Sequence, residues 1–136
     1  MADDNVSKQV VFQRVRNRII EYFEVASSFD EQQKYQKAVP LVSVPSEMIN
    51  QFEDWVPNKD VLDDFGLPVF SMAEQVALRR FHRIWEDVAQ NTPNPLPSLV
   101  ETLKLPKWKQ LREAAEETLV VFLDRGKLSE DKEIEI

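Results

Sequence analysis

The sequence predicts an all-α fold: a single-domain bundle of three long helices and two or three short ones. Three observations carry that prediction. Apolar residues recur at three- and four-residue steps over about 6–27, 71–90 and 107–125, the spacing of one helical face. Only two Gly occur in 136 residues, too few for the tight turns of a sheet-rich fold. Apolar residues make up 43% of a chain of one-domain length, enough to build a core. Residues 1–5 are expected to form a disordered lead-in, 6–127 the helical domain, and 128–136 an acidic tail that frays unless it pairs in a complex.

In the first long helix, Phe12, Val15, Ile19, Tyr22 and Phe23 share one face. Arg14, Arg16 and Arg18 flank that face, their stems covering apolar surface and their tips reaching water. Ile20 and Val25 fall outside the stripe, so this helix is covered on two sides or offers a face to a twin. Residues 30–38 read as a further helix or as an extension of the first past a kink. Pro40 and Pro45 push Val39 and Val44 toward extended backbone, leaving room for a short isolated β-segment over Leu41–Val44. Ser46 is then the expected cap of a helix over Glu47–Val56, and Lys59–Phe65 reads as one or two turns closed by Gly66 at the C′ position.

Ser71-Met-Ala-Glu74 is a capping box, in which hydroxyl and carboxylate each accept an orphan backbone N–H of the helix start. Phe70 is placed to staple onto Val76 or its neighbours. Leu78, Phe81, Trp85 and Val88 form the inner face of this helix, with Arg79, Arg83 and Glu86 opposite. The segment NTPNPLP is a stiff connector. Ser98–Glu101 repeats the capping-box spacing, and Pro106 suits the first turn of the last long helix. Trp108, Leu111, Ala115, Thr118 and Phe122 make that helix's stripe, and Gly126 stops it.

Composition narrows the function. Lys and Arg total 17 against 24 Asp and Glu, a net charge of −7, which repels nucleic acid and anionic membranes. No apolar run approaches the ~18 residues of a membrane span. The absence of Cys excludes disulfides and thiolate metal sites. With an acidic start that is unlike a signal peptide, it fits a cytoplasmic protein. No cofactor motif is present.

Four constellations stand out. His82 with Glu86 at i+4 is the one His–carboxylate pair the chain offers, a general base oriented by an acid or else a boundary histidine. Glu47, Glu53, Asp54, Asp60, Asp63 and Asp64 stand against a lone Lys59, interleaved with Phe52, Trp55 and Phe65. Carboxylates around large aromatics suit recognition of a basic partner, the acids speeding encounter and an exposed Trp55 anchoring the complex. The competing view turns the aromatics into the core and leaves the acids as solvated backs. Asp60, Asp63 and Asp64 do not match a calcium loop. Arg14, Arg16 and Arg18 would bind an anion if the fold brought them to Arg79, Arg80 and Arg83. Trp85 and Trp108 line a pocket or pack in the core.

The expectation is a non-enzymatic, acidic, helical protein-binding domain without cofactor or metal, docking a basic protein through residues 47–65. By analogy of size and charge, it would act as an antagonist or regulator of that partner. The alternatives are a homodimeric structural domain and a small-molecule binder or enzyme using His82 and Glu86.

Overall fold

The computed structural model describes residues 6–135; the expected lead-in and Ile136 lie outside the described residues. It contains α1 (Lys8–Ala26), α2 (Phe29–Ala38), α3 (Val44–Trp55), a 3-10 helix (Lys59–Asp64), α4 (Met72–Gln90), α5 (Leu99–Thr102) and α6 (Pro106–Leu123). The fold is the all-α bundle the periodicity predicts, and among the described residues there is no strand. No helix among the described residues is long and apolar enough to cross a membrane.

Local chemistry sets the helix starts. Ser7 Oγ accepts from the Val10 amide, and Ser28 Oγ from the Glu31 amide, so α2 is a separate helix. The expected β-segment at Leu41–Val44 does not form, and α3 begins three residues earlier than Ser46 would start it. Ser43 caps it by accepting from the Ser46 amide at 3.3 Å. Pro45 falls in the first turn, where a missing N–H costs nothing and the fixed φ is already helical. Ser71 and Glu74 complete the capping box of α4 as predicted. At α5 only half of one forms, because Ser98 accepts from the Glu101 amide while the Glu101 carboxylate turns to Lys104.

Both glycines follow α6 or the 3-10 helix, with different outcomes. Gly126 takes φ +70° and gives its amide to the Phe122 carbonyl at 2.9 Å, the left-handed stop expected after α6. Gly66 does not adopt a positive φ, so the 3-10 helix ends without that device. Phe70 is fully buried and stacks on Phe65 at 4.5 Å, whereas Val76 is exposed, so the expected staple is replaced by a core contact.

α4 and α6 pack antiparallel, as three cross-links show: Glu74 meets Arg125, Arg80 meets Glu117, and Asp87 meets Lys107. α1 also runs against α6, its middle beside Phe122 and its end beside Trp108 through Gln32. The core between them is aromatic. Phe81 meets Phe23 and Phe52 edge-on, each at 4.9 Å, and Phe23 also contacts Phe122. Such edge-to-face pairs add to area burial by about 0.5–1.5 kcal/mol each.

Buried polar groups are satisfied across elements. Trp108 Nε1–H donates to Gln32 Oε1 at 3.0 Å, and the Gln32 amide donates in turn to the Val25 and Ala26 carbonyls at the end of α1. Tyr22 donates to the Met48 carbonyl at 2.7 Å, and burial pushes its hydroxyl pKa far above the ordinary value. Ile20 and Val25, outside the first helix's stripe, pack within this chain.

Candidate functional site

The acidic stretch divides between two elements. Glu47, Glu53, Asp54 and Trp55 belong to α3, and Asp60, Asp63 and Asp64 to the 3-10 helix. Phe52 and Phe65 are buried in the core, which is the fate the competing reading gave them. Trp55 is half-buried, packed against the core with part of its surface open, so it is not the fully exposed anchor the sequence suggested. Glu53, Asp54, Asp60, Asp63 and Asp64 are exposed and Glu47 is half-buried.

Most of these acids have no partner, as is also the case for Glu24, Asp30, Glu86 and Asp124 elsewhere among the described residues, and two of them are engaged. Glu47 accepts from Gln51, and Asp63 pairs with Arg79 at 2.7 Å. Among the described residues, no hydrogen bond or ion pair engages the side chains of Glu53, Asp54, Asp60 or Asp64. By contrast Glu113, Glu116 and Glu117 on α6 and Asp87 on α4 each have a Lys or Arg within 4.0 Å. The α3–3-10 surface therefore carries net negative charge, with Lys59 as its one cation among the residues of those two elements.

His82 does not pair with Glu86 as the catalytic alternative requires. It is 5% exposed, packed against Phe52 and Trp85, and neither a hydrogen bond nor an ion pair joins it to Glu86. Desolvation lowers its pKa, Glu86 partly opposes that, and Lys59 adds to the lowering. It lines none of the surface clefts described. Among the described residues, no group of three or more His, Asp or Glu side chains is placed to hold a metal ion. Trp85 and Trp108 line no common pocket, since Trp85 donates to the Ile49 carbonyl while Trp108 serves Gln32.

The arginines are not brought together as one anion site. Arg79 and Arg80 are spent on Asp63 and Glu117. Arg16 is not a solvated flank residue: it is 0% exposed and pairs with Glu74, itself 1% exposed. Glu74 also receives Arg125, with bonds at 2.6 and 3.1 Å, while its Oε1 keeps the Ser71 amide of the capping box. The remaining donors of Arg16 reach the Phe122 and Gly126 carbonyls, and its guanidinium lies over the Phe122 ring. Burial alone would raise the Glu74 pKa, but hydrogen bonds from Arg125, Arg16 and the Ser71 amide outweigh it and hold the carboxyl below the ordinary value. This Arg–Glu–Arg cluster joins α1, the start of α4 and the end of α6.

Two further features escaped the sequence reading. A shallow cleft of about 630 Å³ lies between the α2–α3 turn and α5, with Leu41, Leu96, Val100 and Lys37 among its lining; Leu41 is fully exposed. The proline-bracketed runs around Leu41 and Leu96 were its only signal. The second is the acidic tail, which does not fray: residues 128–134 lie along α1. Gln13 donates to the Ser129 and Lys132 carbonyls and accepts the Ile134 amide, while Asn17 exchanges both bonds with the Leu128 backbone. Gln9, Gln13 and Asn17, at four-residue steps, were the available signal.

A scan against protein-family models, a search of curated proteins and a search of solved structures each find nothing that matches this chain.

Proposed function

We propose that this chain is a non-enzymatic binding domain that docks a basic protein partner through the surface formed by α3 and the 3-10 helix. The observation that carries the reading is that Glu53 and Asp54, next to the half-buried Trp55 in α3, and Asp60 and Asp64 in the 3-10 helix that follows, are exposed with no cation paired to them among the described residues. Unpaired surface charge accelerates encounter with an oppositely charged protein and is screened by salt. The open edge of Trp55 supplies apolar area for the bound state, where aromatic anchors dominate affinity. Phe52 and Phe65 hold the two acidic elements on the core, so the surface is presented on a rigid base.

Burial of His82 against Phe52 and Trp85, away from the clefts, leaves the catalytic alternative without a supporting observation. Self-association loses its original argument, because Ile20 and Val25 are covered within the chain. The test is affinity capture from native lysate at low and at high salt, followed by mass spectrometry. A basic protein retained at low salt and released at high salt supports the reading; retention of partners without basic character, insensitive to salt, contradicts it.

A further inference from the structure

We propose that the outer face of α1 built by Gln9, Gln13, Arg14, Asn17 and Arg18 is a binding site for an acidic peptide with a bend after its serine, occupied in cis by residues 128–134 of the chain itself. The chemistry of the contact is that of peptide recognition. Gln13 and Asn17, 0% and 1% exposed, use both their amide N–H and carbonyl groups on the backbone of the bound segment. Gln9 donates to the Ile134 carbonyl at 2.9 Å, and Arg14 to the Glu130 carbonyl at 2.8 Å. Backbone is therefore read at five residues of a segment that bends at 130–132, where the Ser129 hydroxyl accepts from the Asp131 and Lys132 amides.

Selectivity comes from one side chain. The Glu130 carboxylate accepts from Asn17 at 2.9 Å and pairs with Arg18. A carboxylate at that register is what the face asks of a ligand, and acids on either side suit a helix face carrying Arg14 and Arg18.

Two observations argue that the occupant is exchangeable. The contact is mostly polar: only Leu128 and Ile134 among the docked residues are half-buried apolar groups. Release exposes amides and guanidinium groups that water solvates readily, so the face stays soluble when open. The fit is also incomplete. Arg18 Nε is the one buried side-chain polar atom among the described residues without a hydrogen-bond partner, and Glu21 at 3.4 Å does not supply one. A buried donor left without an acceptor is uncommon in folded proteins, and it marks a contact that the docked segment does not complete.

The test uses the full chain and a fluorescent peptide of the sequence KLSEDKEIE, followed by anisotropy. In the wild type the tethered segment competes, and apparent affinity is reduced by the fraction of chains that are open. The variant Glu130→Ala with Ile134→Pro removes the ion pair and one backbone donor of the cis segment while leaving α1 intact. It is expected to bind the peptide about tenfold or more tightly than the wild type. Adding Arg18→Glu should abolish that binding, and a peptide with Lys at the Glu130 position should restore it. Equal binding by wild type and variant, or none by a variant whose circular dichroism is native, overturns the proposal. Should the variant fail to fold, hydrogen exchange in the wild type decides: the Leu128 and Ile134 amides must exchange far faster than those of the core helices. Exchange of those two amides only through global unfolding also overturns it.

Discussion

Arg16 and Glu74 stand 58 residues apart in sequence and meet in a solvent-excluded, two-bond ion pair, with Nη2 at 2.8 Å and Nε at 3.1 Å from the two carboxylate oxygens. The pair joins a capping residue to a side chain that helical periodicity places on a wet flank. Because Arg125 also reaches Glu74, a single carboxylate serves two guanidinium groups and the start of α4.

Glu74→Ala should therefore be strongly destabilising. It strands Arg16 in the core and removes half of the capping box; losing one partner of a buried pair costs about 3–5 kcal/mol. Glu74→Gln keeps an acceptor for Ser71 and should cost less. Urea midpoints at neutral pH decide, and a Glu74→Ala chain within error of the wild type would show the cluster to be energetically idle.

Acid should lower the stability of the fold in two separate pH windows. The folded pKa of His82 lies below its ordinary 6.5, so between the two values the unfolded chain binds a proton that the folded chain refuses. Stability then falls as pH drops from 6.5 toward the lower folded value. The contribution of Glu74 is full above its ordinary 4.5 and is lost as pH falls through its lower folded value. Urea midpoints measured down the pH scale should show both windows, and His82→Phe should flatten only the first.

Trp108→Phe should destabilise by about 1–3 kcal/mol, because Gln32 Oε1 is left buried without a donor. Gln32→Ala should cost a similar amount, and the double variant less than their sum, with a coupling of about 1 kcal/mol. Additive effects in thermal or urea unfolding would mean the indole and the amide contribute independently.

The fold was legible where causes are local. Helical periodicity, the Ser71–Glu74 box and the Gly126 stop are written within a few residues of where they act. The start of α3 was misplaced because Ser43 and Ser46 both offer a cap, and the position of Pro45 in the first turn selects Ser43. The second role of Glu74 was illegible because its partners lie 58 and 51 residues away. Arg16 was misjudged for the same reason: a charge beside an apolar stripe is normally solvated, and only a partner from another helix makes its burial tolerable. The acidic surface was legible as composition, but which acids lack a cation depends on where α4 and α6 place Arg79, Arg80 and Lys107.

Exposed acids of α3 and the 3-10 helix, rather than overall charge, are expected to select a basic partner. Partner retention should be compared at low salt for the wild type, for Asp54→Lys with Asp60→Lys and Asp64→Lys, and for Glu24→Lys with Asp30→Lys and Glu116→Lys. The two triple variants change net charge equally, and exposed substitutions of this kind shift stability by about 0.5 kcal/mol or less each. The first variant should lose the partner and the second should retain it. Equal retention, or equal loss, by the two variants would contradict this expectation.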